Sequence, residues 1–276
     1  MFNPEVWYNT LRRYSMNILI SNDDGVFKYG LKVLANALAS MEDVNVYVFG
    51  PSRERSCAGH GLFLHEEQTV TPYSAEGFAR VEGVWACSGT PADCVKTGVS
   101  ILRAKGIPID MVCTGVNHGS NLGRDIHYSG TISAAMEGLF LGIPSIAFSL
   151  CSHEALYFEA FPSLIPRVVK AAKGNVPRDT IISVNVPDIP ADQLKGVKVC
   201  PIGPRDYTDG IRFLRKEGDS EIWEYESIAK YRDDPDPAWD VSAWQDGWVT
   251  VTPVQMMHEN AKMMDLVRSW GISLEK

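Results

Sequence analysis

The chain has 276 residues, 45% of them hydrophobic, enough to bury the core of one large domain without staples. Asp and Glu total 34 against 26 Lys and Arg, a net charge of −8 with no long block of one sign, which argues against a protein that tracks a nucleic-acid duplex. No apolar stretch approaches the roughly 20 residues that span a bilayer, and the six cysteines contain no C-x-x-C pair, so reduced core thiols in a cytoplasmic protein are expected instead of a disulfide frame or zinc site.

The first fifteen residues carry Arg12 and Arg13 but no apolar region of signal-peptide type, and an N-terminal extension over 1–15 is expected ahead of a first strand at Met16. The apolar run Ile18 to Ile20 ends in Asn22-Asp23-Asp24-Gly25, after which Leu31, Leu34, Ala35 and Leu38 recur at helical spacing. The acidic turn thus sits at a strand-to-helix crossing, the edge where open α/β sheets bind ligands. Two adjacent carboxylates repel. Either a hard divalent cation neutralises them, making Asp23 and Asp24 candidate metal ligands, or they cap the helix in solvent.

Val44, Val46 and Val48 alternate before a loop, Ser52 to Gly61, rich in side chains that bind anions or metals; within it Arg53 and Arg55 either attract phosphate or pair with a neighbour such as Glu54. Thr90, Pro91 and Asp93 predict a capped helix over 91–104, and Asp110 to Thr114 a short buried strand. The Gly-rich loop from Gly115 to Gly123 matches neither the dinucleotide fingerprint nor a Walker motif. Ser129-Gly130-Thr131 opens a helix marked by Ile132, Ala135, Met136 and Leu139, and is either an anion-binding helix start or an ordinary cap. Strands over 145–150 and 181–186 flank a helix over 158–173. Beyond Gly203, Trp223 and Tyr225 alternate with acidic residues, 248–252 reads as a strand and 256–270 as a terminal helix. The alternation predicts an α/β fold: a doubly wound, mainly parallel sheet over 16–200, with a C-terminal β-hairpin and helix appendage over 201–276.

An acidic pair, a Ser in an Arg-rich loop, an Asn in a Gly-rich loop and a hydroxyl-bearing helix start suit phosphoryl chemistry. Position by position the chain resembles the SurE family, the survival-protein E nucleotidases, in ILISNDDG from Ile18, SRERSCAGHG from Ser52, SGTPADCVK from Ser88, GVNHGSNLGRDIHYSGTISAAMEGLFLGIPSIAFS from Gly115 and VTVTP from Val249. The resemblance implies a divalent-metal-dependent phosphatase that hydrolyses nucleoside 5′-monophosphates, with 3′-monophosphates as a further class, by metal-assisted attack of water on phosphorus. It also implies a Rossmann-like catalytic core over 16–200 and a C-terminal segment used for oligomer contacts, in a homodimer or homotetramer. Carried over, the metal ligands are Asp23, Asp24, Ser56 and Asn117. This oxygen set suits one Mg²⁺ or Mn²⁺ ion better than Zn²⁺.

Asn121, Ser129, Gly130 and Thr131 are then expected to hold the remaining phosphate oxygens. One of Asp23 and Asp24, with Asp24 preferred, accepts the water proton, and His60 and His118 are the candidates for protonating the leaving oxygen, each with a packed structural role as its alternative. His65, His127, His153 and His258 are expected to be structural. Trp239, Trp244 and Trp248 would stack on a base or, more simply, fill a core or an interface. Phe27 and Tyr29, larger than the family's usual residues there, are expected to reshape the pocket mouth. A haloacid-dehalogenase phosphatase needs an Asp two positions after its nucleophile, where this chain has Gly25 and Val26. A phosphoacceptor receiver domain needs an Asp after its third strand, and none occurs from residue 44 until Asp93. A nucleotide-binding regulatory module would use the same pocket without turnover.

Overall fold

The computed structural model describes residues 15–230, 235–255 and 261–271. The expected extension over 1–15 lies outside them apart from Ser15, as does His258.

Nine strands, most of them buried aliphatic runs, make one sheet. They are β1 (Met16–Ser21), β2 (Val44–Pro51), β3 (Val70–Pro72), β4 (Gly83–Cys87), β5 (Met111–His118), β6 (Ser145–Leu150), β7 (Thr180–Val186), β8 (Val197–Val199) and β11 (Val249–Gln255). Between the last two in sequence, β9 (Asp206–Glu217) and β10 (Ser220–Lys230) form a separate antiparallel hairpin. The sheet order is β3-β4-β2-β1-β5-β6-β7-β11-β8; its pairings are parallel except β3 with β4 and β11 with β7. The chain moves outward from β1 to β2 and later returns to lay β5 on the other side of β1. The crevice between the carboxyl ends of β1 and β5 is therefore the topological switch point.

Helices cover both faces, as a parallel sheet requires. Ile18 and Ile20 point to the side holding α1 (Tyr29–Ala39) and α4 (Phe161–Ala172), where they join Leu31, Leu34, Phe161 and Ile165 in one core. Leu19 points the other way, to the core shared by Val95, Val99 and Leu102 of α2 (Pro91–Ala104) and Ala134 of α3 (Gly130–Phe140). The α2 start is fixed by a capping box: the Thr90 hydroxyl accepts from the Asp93 N–H at 3.1 Å, while the Asp93 carboxylate accepts from the Thr90 N–H at 3.0 Å. The fourth helix begins at Phe161, three residues later than its apolar pattern suggested, with Pro162 in the first turn where no N–H is needed.

The C-terminal region departs from the sequence-based outline. β11 pairs with both β7 and β8, so the chain beyond residue 200 leaves the core as a hairpin, passes through α5 (Asp240–Gln245), and re-enters the sheet. The physical reason is that Val249 and Val254 are buried, and only an inner strand can hide them. A terminal helix, α6, spans Ala261–Ser269; the first residues of its expected range, 256–260, lie outside those described. No helix among the described residues is long and apolar enough to cross a membrane.

One buried charge ties the second helical face together. Glu137 on α3 accepts from the Lys96 ammonium of α2 at 2.6 Å and lies 3.1 Å from His60 Nε2 of the 52–61 loop. Burial by itself would raise its pKa, but the hydrogen bonds and charges of His60 and Lys96 hold it below the ordinary carboxylate value. A depressed folded-state pKa adds stability that is present above the unfolded value and is lost as pH falls through the folded one. Glu137→Gln should therefore lower the unfolding free energy at pH 7 by about 1–2 kcal/mol, a range reduced for the half-exposed lysine. Urea titrations should show the difference shrinking below pH 4.

Candidate functional site

A pocket of about 790 Å³ opens at the switch point between β1 and β5. Asp23 and Asp24 leave β1 directly into it and are 5% exposed. The turn closes when the Asn22 amide donates to the Gly25 carbonyl at 3.0 Å, with Gly25 at φ +109°. The same turn recruits the next loop, because the Arg55 N–H donates to the Asp23 carbonyl at 2.8 Å, and Ser56 thereby reaches the pocket wall. From the other side β5 delivers Asn117 and His118.

Each carboxylate is held differently. The Thr131 hydroxyl donates to Asp23 Oδ1 at 2.6 Å, and the Thr131 backbone bonds the same carboxylate. The His118 backbone N–H donates to Asp24 Oδ2 at 3.2 Å. Burial, and then the Asp24 charge, push the Asp23 pKa up to about 6 despite the Thr131 bonds. Burial also raises Asp24 to about 6, against the His118 N–H and the Lys28 charge. Lys28, the nearest ammonium acting on the pair, is itself 3.5 Å from the Glu54 carboxylate. The folded chain thus carries both charges at a cost at neutral pH, and a bound cation would remove it.

The donor set fits a hard divalent ion. Two buried carboxylates stand beside the Ser56 hydroxyl, which donates to Glu54 at 2.9 Å, and Asn117, whose amide nitrogen donates to the Gly119 carbonyl at 2.9 Å and so leaves its oxygen unspent. Among the described residues no group of three or more His, Cys, Asp and Glu is placed to hold a metal. A site here therefore depends on the neutral oxygens.

The structure brings Asp23, Asp24, Ser56, Asn117, His118, Asn121 and Ser129 to one pocket. It separates others from it. Thr131 is fully buried and its hydroxyl serves Asp23, so it supports a carboxylate where the sequence suggested a phosphate contact. Gly130 is a close-approach residue: a Cβ there would stand 2.7 Å from the Asp23 Cβ, so only glycine lets the start of α3 press against the acidic turn. His60 is paired with Glu137 and stacked on Phe140, with ring centroids 5.4 Å apart, outside the pocket lining. This is the geometry of its packed structural alternative. His118 borders the pocket, yet its Nε2 is buried without a hydrogen-bond partner and lies 3.2 Å from where a Gly30 Cβ would stand. Burial, then Lys28, lowers its pKa.

Arg55 donates to the Ser88 carbonyl at 2.7 Å and packs over Phe63, a structural use. Phe27 and Tyr29 are exposed and do not line the pocket; Tyr29 packs edge-on against Phe158. Sequence reasoning missed Lys28, Glu54, Arg124, Tyr128, His153, Arg205 and Tyr207 in the lining. Arg124 and Tyr128 sit inside the long family-like stretch and were legible there as polar residues near Ser129. Arg205, Tyr207 and His153 carry no local signal, since only the return of the hairpin and the end of β6 bring them in.

The chain matches the family model described as Survival protein SurE over residues 18–209. A protein named 5′-nucleotidase SurE from Synechococcus sp. (strain JA-3-3Ab) is 38% identical over 94% of this chain and 98% of its own length. Another of that name, from Geobacter sulfurreducens, is 39% identical over 94% of this chain and 95% of its own. The crystal structure of a SurE protein from Aquifex aeolicus superposes with a TM-score of 0.77 at 34% identity, covering 93% of this chain and all of that one. With the fold, the acidic turn at the switch point and matches of this length in agreement, the chain belongs to the SurE family.

Proposed function

We propose that the protein is a divalent-metal-dependent 5′-nucleotidase that hydrolyses nucleoside 5′-monophosphates to nucleoside and phosphate in a reducing, cytoplasmic compartment. One observation carries the reading: a buried pair of adjacent carboxylates, two neutral oxygen donors, Ser129 and Asn121 line a single pocket. Relatives at about this identity bear the name 5′-nucleotidase. The six cysteines are all free, which suits a reducing compartment.

Asp23, Asp24, Ser56 and Asn117 would hold an Mg²⁺ or Mn²⁺ ion, which supplies positive charge to polarise phosphoryl oxygens. Thr131 keeps Asp23 oriented through its hydroxyl. Asp24, with Oδ2 on the His118 N–H, retains Oδ1 for the cation or for a proton from the attacking water. Asn121 is fixed by its N–H to the Asn185 side-chain oxygen at 2.8 Å and by its amide to the Ser149 hydroxyl at 2.8 Å, which sets one wall of the phosphate end. Ser129 caps α3 by accepting the Ile132 N–H at 3.1 Å, aligning the helix start with the site.

The hairpin supports self-association into a dimer or tetramer. Tyr225 faces the same side as Phe213 and Trp223, which meet edge to face at 5.2 Å; all three are exposed, while the opposite side carries the Arg212 ion pairs with Glu224 and Glu226. A one-sided apolar ribbon of this kind is expected to be covered by another copy.

Phosphate release from AMP should require Mg²⁺ or Mn²⁺, stop with chelator, and fall at least 100-fold in Asp23→Asn, whose fold is checked by circular dichroism; the cation should also raise the melting temperature of the parent and not of the variant. Tight AMP binding without release under any metal would favour a regulatory module instead. Gly130→Ala should lower kcat by more than tenfold, because its methyl displaces Asp23, and an unchanged kcat would refute the close-approach argument. Phe213→Lys combined with Tyr225→Lys should reduce the mass found by light scattering, and an unaltered mass would remove the assembly role.

A further inference from the structure

We infer that the hairpin side of the pocket is a base-stacking subsite, in which Tyr128, Tyr207 and the flanking arginines receive the nucleobase of the substrate while Asp125 holds that wall in place. The inference rests on the nucleotidase reading and adds to it which residues read the half of the substrate that does not react.

The pocket is larger than a phosphate and an ion require. At about 790 Å³ it lies in the range of sites that enclose a whole small molecule. Its chemistry also changes across its width. One part of the lining is acidic and oxygen-rich, at Asp23, Asp24 and Asn117; another combines guanidinium groups and a phenol ring from Arg124, Arg205 and Tyr207, and Tyr128 adds a second ring. Planar cations and rings are the surface on which nucleobases stack, and they do so with little regard to which base is present.

That wall is preorganised. The Tyr207 hydroxyl donates to the Asp125 carboxylate at 2.7 Å, and Arg205 Nη1 donates to the same carboxylate at 2.7 Å. Arg205 also donates to the Ser120 hydroxyl and packs between the rings of Tyr207 and Trp244, at 5.8 Å from each. The Arg124 guanidinium stands 5.0 Å from the Tyr207 ring centroid. Tyr207 lies opposite Ala229 in the hairpin register, so that the hairpin turns this side toward the core. Asp125 belongs to the short 3₁₀ turn (Gly123–His127) just before α3, so one carboxylate couples the hairpin to the element that begins the phosphate end. Tyr128 follows that turn, precedes Ser129, and leaves 61% of its surface open.

Comparing AMP with ribose 5-phosphate isolates the base, since the two share sugar and phosphate. Tyr128→Ala should lower kcat/KM for AMP about tenfold or more and alter that for ribose 5-phosphate less than twofold. Tyr207→Phe, which keeps the ring and removes only its bond to Asp125, should raise KM for AMP with kcat unchanged. GMP, CMP and UMP should follow AMP in both variants. Equal losses on AMP and ribose 5-phosphate, or no loss on either, would overturn the subsite. Failure of the parent to release phosphate from any of these compounds would defeat the nucleotidase reading alone, and calorimetric binding of AMP against ribose 5-phosphate to parent and Tyr128→Ala would still decide the subsite by the same tenfold criterion.

Discussion

Burying two adjacent carboxylates at the end of a central strand is the constraint from which the rest of this molecule follows. Asp23 and Asp24 repel each other and have little water, so the surrounding structure must supply donors without neutralising them. It does so from two separate elements, and a third is tied to the backbone of the same turn. The hydroxyl and backbone of Thr131 at the start of α3 serve Asp23, the backbone of His118 at the end of β5 serves Asp24, and the Asp23 carbonyl anchors the Arg55 N–H of the next loop. What remains unsatisfied is net negative charge, which is what a site for a hard cation needs.

That requirement accounts for features with no direct contact to a ligand. α3 must press close enough for Thr131 to reach, which demands glycine at 130. The helix is then held by burying Glu137 against α2, and this consumes Lys96 and His60. Asn121 is locked by a reciprocal pair with Asn185, which accepts from its N–H and donates to its carbonyl at 3.2 Å, so β7, three strands from β1, steadies a residue of the pocket. Rigid surroundings of this kind are how a fold holds polar groups in place before substrate arrives.

The hairpin plays a different part. Its root is bound to the core by Asp125, while its tip projects apolar rings into solvent. Near the core its pocket-facing residues, Tyr207, Ser227 and Ala229, border the site. Farther out, the same face continues as Phe213, Trp223 and Tyr225. One ribbon thus lines the pocket at its base and carries exposed apolar rings along its length.

Most of the core could be read from the sequence, because its signals are local. Aliphatic runs broken by Asn-Asp-Asp-Gly, a Thr-Pro-Ala-Asp helix start and a Ser-Gly-Thr helix start each depend on neighbours a few residues apart, and β1, α2, α3 and β6 appear where those patterns place them. The acidic turn was legible for the same reason, and so was its position at a strand-to-helix crossing. Short strands such as Val70–Pro72 and Val197–Val199 left no such mark, since their pairing partners supply the stability that their own residues lack. Only the tertiary structure decided that Thr131 serves Asp23, that His60 serves Glu137, and that Arg205 and Tyr207 reach a pocket 80 or more positions from Asp125 in the chain. Those roles are set by which groups meet across the sheet edge, and the charge that each side chain must answer there comes from residues far away in sequence.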